Sequence, residues 1–217
     1  MVASGVFTTV SLVSYCSAAD VLAQLQGYDT SGWGSAEELE TAITGLLAQT
    51  REAVDGVAGR DFMLHPGETV RLDGSGTRVL LLSPHGLHPV TQIESVVVEG
   101  RALEESDWLF YAEEGALVLA ASSTFGVRFP EGNQNVEVTL DWGYETPPAD
   151  VRLAQAKLTA AELLARNSGE QGGVEAVRIG DYSVRYEEGR HGYTIRRLVA
   201  EAEELLGRHR RPELCVI

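Results

Sequence analysis

Apolar residues recur at two different periods along this chain, and each change of period marks a change of element. From Val136 to Trp142 they alternate strictly: Val136, Val138, Leu140 and Trp142 share one face, and Glu137, Thr139 and Asp141 share the other. A period of two predicts a strand with one buried and one wet side, Trp142 closing the core face. Gly143 and the Pro147-Pro148 pair break the strand, since proline fits a helix's first turn but not a ladder. Asp150 then sets negative charge where a helix dipole favours it. In the helix that follows, Val151, Ala154, Leu158, Ala161 and Ala165 form one apolar stripe, and Leu153, Ala156, Ala160 and Leu163 a second. Only Arg152, Gln155, Thr159, Glu162 and Arg166 make a polar seam. A helix apolar over most of its surface is packed on several sides, so this is expected to be the central one.

Upstream, the residues before Ser14 read as an extended lead. Ser17 and Asp20 form a variant capping box before a short helix carrying Val21, Leu22 and Leu25, which Gly27 ends. Ser35 and Glu38 form a cleaner box. Leu39, Ile43, Leu46, Leu47, Val54 and Val57 follow at helical spacing, predicting a helix from about Ala36 to Ala58 that stops near Gly59. Arg60-Asp61-Phe62 turns the chain.

The period between Glu68 and Trp142 is two. Val70 and Leu72, a turn at Asp73-Gly74-Ser75-Gly76, and Val79 to Leu82 predict a hairpin. Ile93 to Val98 is a further strand, Trp108–Tyr111 and Leu117–Leu119 flank a second turn at Glu113-Glu114-Gly115, and Phe125, Val127 and Phe129 alternate before Pro130. Short punctuated strands of this kind make a small antiparallel sheet or sandwich. After a loop at 168–173, Val177 and Ile179 alternate in one phase and Tyr182, Val184 and Tyr186 in the other, so Gly180-Asp181 holds a bulge or tight turn. The last helix presents Ile195, Leu198, Val199, Ala202, Leu205 and Leu206 on one face, and Glu204 can pair with Arg208. Arg208, His209, Arg210 and Arg211 suit its negative end, and Pro212 stops it.

The whole is an α+β fold. A bundle of about four helices spans residues 1–62 and 143–217, an antiparallel β-sheet or sandwich module is inserted at 63–142, and a β-hairpin near 174–187 precedes the last helix. The 217 residues suffice for a core, and no apolar run is long enough to span a bilayer, so no membrane partner is expected. The opening residues lack a basic region, which argues against a secretory signal. Cys16 and Cys215 lie near opposite ends and are expected as free thiols. The net charge of −15 disfavours binding to duplex DNA or anionic lipid, because phosphate contacts need clustered cations. Lys157 is the only lysine.

Candidate chemistry is sparse. His85 and His88 are two potential ligands three residues apart, but no third ligand lies at a suitable spacing, and a loop between strands accounts for them. Asp73-Gly74-Ser75-Gly76 lacks the lysine and following helix of a phosphate loop. No GxSxG elbow is present. Trp33, Trp108 and Trp142 are not interleaved with arginines as in single-strand binders. No catalytic residue, metal site or cofactor is therefore expected. The tail differs: Leu214, Cys215, Val216 and Ile217 are apolar and follow a basic helix end, which fits either a frayed terminus or a docking peptide.

Three segments together resemble head–tail adaptor (connector, head-completion) proteins of tailed bacteriophages and related particles. They are LLAQTREAVDGVAGRDF from Leu46, LDWGYETPPADVRLAQAKLTAAELLARN from Leu140, and VRIGDYSVRYEE from Val177. Each is loose alone; the ordered set, with the β insert between the first two, carries the likeness. The resemblance implies a structural virion protein located in the neck, made in the host cytoplasm, that forms a ring, commonly of twelve subunits, beneath the portal protein. It would extend the DNA channel without sequence-specific binding and meet the next neck or tail-completion protein. By the same resemblance Pro212, Glu213, Leu214, Cys215, Val216 and Ile217 would be the portal-docking arm. The acidic balance suits a channel wall that DNA must slide past. Two other readings stay open: another neck or tail-completion module acting through the β insert, and a metal-dependent hydrolase using His85 and His88.

Overall fold

The computed structural model describes residues 14–28, 31–167, 174–187 and 191–210. In chain order the elements are α1 (Ala18–Gln24), α2 (Ala36–Ala58), β1 (His65–Gly74), β2 (Val79–Leu81), β3 (Val90–Val98), β4 (Arg101–Ala102), β5 (Trp108–Tyr111), β6 (Ala116–Leu119), β7 (Gly132–Trp142), α3 (Ala149–Arg166), β8 (Val174–Ile179), β9 (Tyr182–Glu187) and α4 (Gly192–Gly207). This is an α+β chain of helices and antiparallel sheets. It divides into two compact units: a helical one made from the chain up to Gly59 together with Ala149–Arg210, and a β unit, Arg60–Pro148.

Local signals start and stop the helices. Ser17 and Asp20 cap α1 reciprocally, and Ser35 and Glu38 do the same for α2. Each arrangement satisfies backbone N–H groups that a helix start otherwise leaves bare, and it holds the Asp20 and Glu38 carboxyls below their ordinary pKa, the backbone N–H of Ser17 or Ser35 contributing most. Gly59 ends α2 at φ 69°, a left-handed position that glycine occupies at little cost. Both Pro147 and Pro148 precede α3, which starts at Ala149.

Within the helical unit α3 touches α1, α2, α4 and β9. Ala154, Ala156, Ala160 and Ala161 are fully buried, and their small side chains let these neighbours approach. The two expected apolar stripes are not equally covered: Leu153 is 37% exposed. Ile195, Leu198, Val199, Ala202 and Leu206 bury the inner face of α4. The phase change between β8 and β9 is a tight turn: Gly180, at φ 57°, and Asp181 connect paired strands.

The β unit stacks two antiparallel sheets, ordered β1-β7-β3-β4 and β2-β6-β5, on one apolar core. Val136, Val138 and Leu140 of β7, Val96 and Val98 of β3, and Leu117 and Leu119 of β6 meet there with no exposure. Three expectations need correction. First, 65–82 is not a hairpin: β1 pairs with β7, and β2 pairs with β6 in the other sheet. The turn instead crosses between sheets. Gly74 donates to Asn135 Oδ1, and Asp73 accepts from the Gln134 N–H, so the turn is held by the start of β7. An alternating pattern fixes which face is buried but not which strand lies beside it.

Second, residues 125–129 form no strand. Phe129 is fully buried and its N–H donates to Thr77 O, whereas Val127 is 72% exposed. The segment is a loop pinned by one aromatic anchor. Third, Trp142 is only partly buried. It stacks on His65 at a centroid distance of 4.0 Å, nearly parallel, and its indole N–H donates to Glu68. An indole needs a partner for its N–H, and the strand end supplies one at the rim.

Candidate functional site

The three sequence segments singled out above lie far apart in the chain, and parts of all three converge in the helical unit. Gln155 sits at the centre, fully buried. Its Oε1 accepts from the Tyr15 N–H at 2.8 Å, the Cys16 N–H at 3.0 Å and the Ser14 hydroxyl at 3.1 Å. Its Nε2 donates to Leu47 O at 2.8 Å. One turn on, Thr159 Oγ1 meets Thr50 Oγ1 at 2.9 Å. A further turn on, Glu162 accepts from the Tyr182 hydroxyl at 2.6 Å. Burial, then the Glu162 hydrogen bond and charge, push the Tyr182 phenol well above its usual range, so it stays a donor.

Most of the expected polar seam of α3 is thus not a wet face. Gln155, Thr159 and Glu162 are buried and join α3 to α2, to β9 and to the chain before α1; only Arg152 and Arg166 are exposed. Sequence reasoning missed this because polar identity alone does not say whether water or protein satisfies a group. The available signal was the spacing 155, 159, 162, which puts three polar residues on one line of a helix whose other faces are already apolar.

The end of α4 is tied down by pairs. His209 Nε2 lies 2.7 Å from Asp150 Oδ2, joining the end of α4 to the start of α3. Burial raises the Asp150 pKa, but the hydrogen bond and charge of His209 outweigh it, and the net shift is downward. Arg210 reaches Glu203 at 3.2 Å, and the expected Arg208–Glu204 pair is present at 4.0 Å. Lys157 donates to Glu201 at 2.6 Å, linking α3 and α4. The proposed docking residues Pro212, Glu213, Leu214, Cys215, Val216 and Ile217 lie outside the described residues, as does the lead before Ser14.

His85 ends a single 3₁₀ turn, Ser83–His85. Burial, then the nearby charge of Arg60, holds His88 below the ordinary imidazole pKa, which keeps it neutral. Among the described residues no group of three or more His, Cys, Asp or Glu side chains could hold a metal ion. Cys16 is a buried free thiol.

One surface feature stands apart. In the sheet β2-β6-β5, Val79, Val118 and Leu109 lie side by side, and so do Leu81, Ala116 and Tyr111. These two rows face away from the row Leu80, Leu117 and Phe110, which packs into the core. Both faces of this sheet are therefore apolar. On the outer one Val79 is 39%, Leu81 49%, Leu109 50% and Tyr111 48% exposed. The sequence carried a trace of this in the unbroken run Val79 to Leu82 and in Trp108 to Tyr111, where apolar residues do not alternate with polar ones.

No family model matches this sequence, and no curated protein matches it. Among solved structures the chain is similar to one described as the neck of an empty GTA particle, computed with C6 symmetry. The two share 16% identity at a TM-score of 0.49, over 94% of this chain and 93% of that one.

Proposed function

We propose that this protein is a structural component of the neck of a tailed-phage-like particle: a head–tail adaptor whose copies form a ring beneath the portal and extend the DNA channel. The observation that carries the reading is the convergence just described. Thr50, Gln155, Thr159, Glu162 and Tyr182 belong to the three segments that resemble adaptors; Thr50, Gln155 and Thr159 hydrogen-bond to one another in the buried interior, and Glu162 and Tyr182 form a separate pair one turn further along α3. These contacts hold α2, α3 and β9 together in one helical unit. The charge of −15 supports a wall that DNA passes without adhering.

In this reading Pro212–Ile217 docks on the portal, its apolar end filling a groove. The test is co-sedimentation and electron microscopy of the full chain with portal particles, beside a variant lacking residues 212–217. Ring density under the portal that the truncated, still folded variant fails to form supports the assignment. A full chain that never associates with portal sinks it. A second reading, a tail-completion module, is favoured by the exposed apolar sheet face of the β unit; density lower in the neck, away from the portal, would select it.

A further inference from the structure

The outer face of β2-β6-β5 is an apolar surface on an acidic protein. Its four half-exposed side chains leave roughly 300 Å² uncovered, the low end of the largest apolar patch that a single chain typically exposes, and such patches are often functional. A stable rigid interface needs about 800 Å² from each partner, so two such faces pressed together fall short. Two copies of net charge −15 also repel when their folded surfaces approach. The occupant that fits is a short, uncharged, apolar segment.

The chain contains one. Residues 1–13, MVASGVFTTVSLV, hold no charged side chain, and the first charged side chain in the sequence is Asp20. Val6, Phe7, Val10, Leu12 and Val13 are β-branched, aromatic or aliphatic, the types that pack on a pleated surface. The described chain begins at Ser14, and Gln155 fastens its next two backbone N–H groups to α3. Thirteen residues beyond that anchor span up to about 45 Å, enough to pass onto an adjoining molecule. The tail offers a poorer match, because Arg211 and Glu213 bring two charges into the seven residues 211–217.

We propose that residues 1–13 of one copy dock on the outer face of the β2-β6-β5 sheet of a second copy, with Val79, Leu81, Leu109 and Tyr111 as the receiving surface. This arm links copies through apolar contact where their folded surfaces repel. The inference is independent of portal binding.

The test uses two full-length forms in a Cys215→Ser background, one carrying Val10→Cys and the other Leu109→Cys. Mixed at high concentration under mild oxidation, they should give a disulfide-linked species of two-chain mass containing one copy of each. Adding Leu81→Asp to the receiving form should abolish that species while the protein still unfolds cooperatively on heating, since Leu81 is half-exposed. Absence of the mixed species overturns the proposal, as does a mixed species indifferent to Leu81→Asp. A single chain bearing both cysteines that closes on itself without forming dimers also overturns it, by assigning the face to its own arm. Because the readout is on the isolated protein, its failure leaves portal docking standing, and the reverse holds too.

Discussion

Thr50 and Thr159 meet hydroxyl to hydroxyl at 2.9 Å, fully buried, where α2 crosses α3. Each hydroxyl also lies within reach of a carbonyl of its own helix, Gln155 O for Thr159 and Leu46 O for Thr50; since each carries one proton, one hydroxyl donates across the pair while the other donates to its own carbonyl. Gln155, one turn earlier, has no such local fallback for its amide. The two neighbours should therefore respond differently to replacement by apolar groups. Thr159→Val keeps the shape and should cost about 1 kcal/mol. Gln155→Leu strands the Tyr15 and Cys16 N–H groups, and should cost roughly 3 kcal/mol or more. Urea unfolding of the two variants checks the order, and equal losses would refute the role given to Gln155.

Ala160 is fully buried on α3. Ala160→Leu adds volume where several elements close on one helix and should destabilise by roughly 1–3 kcal/mol. Leu153→Ala, at a position 37% exposed, should cost less than a core truncation. Thermal melting of the pair reads the difference.

Gly143 follows β7 at φ 92°, and a β-carbon there would run into the carbonyl of Met63. Its N–H donates to Pro89 O at 2.8 Å. Gly143→Ala therefore meets both a left-handed backbone and a fixed obstacle, and should cost at least about 2 kcal/mol. A melting temperature within error of the parent would mean that this corner yields easily.

Burial, then the charge of Asp20, pushes the Cys16 thiol up to about 12. In the folded protein iodoacetamide should leave Cys16 unmodified at about pH 8, and in urea it should label it, as peptide mass spectrometry can show. The sign for stability follows. The unfolded thiol ionises near 9.0 and the folded one only near 12. The contribution is full below the unfolded value and is lost as pH rises through that window. Cys16→Ala should flatten the alkaline fall in stability; an identical profile would show that the thiol is not responsible.

Asp107 is buried, and its carboxylate accepts from the Thr124 N–H at 2.7 Å and the Glu104 N–H at 3.1 Å. These bonds, that of Thr124 first, outweigh burial and hold its pKa below 3.8. Its contribution is therefore full at neutral pH and lost on acidification below that value. Asp107→Asn should lower stability at neutral pH and make the acid limb shallower, a comparison that chemical unfolding across pH provides.

What the sequence determined by itself was local. Ser17, Ser35 and Gly59 announced helix ends because capping chemistry acts within a few residues. Val136, Val138 and Leu140 announced a buried strand face because the pleat alternates by geometry. The tertiary structure decided whatever depended on a distant partner. It sent β1 to β7 instead of β2, since backbone ladders carry no residue code and strands are sorted by which apolar faces close one core. It drew Gln155, Thr159 and Glu162 inward, since a buried polar group is tolerated wherever a partner is waiting, and those partners come from residues 14–16, from α2 and from β9. It also left Leu81 and Leu109 facing outward, because a three-stranded sheet can give only one of its two apolar faces to its own core.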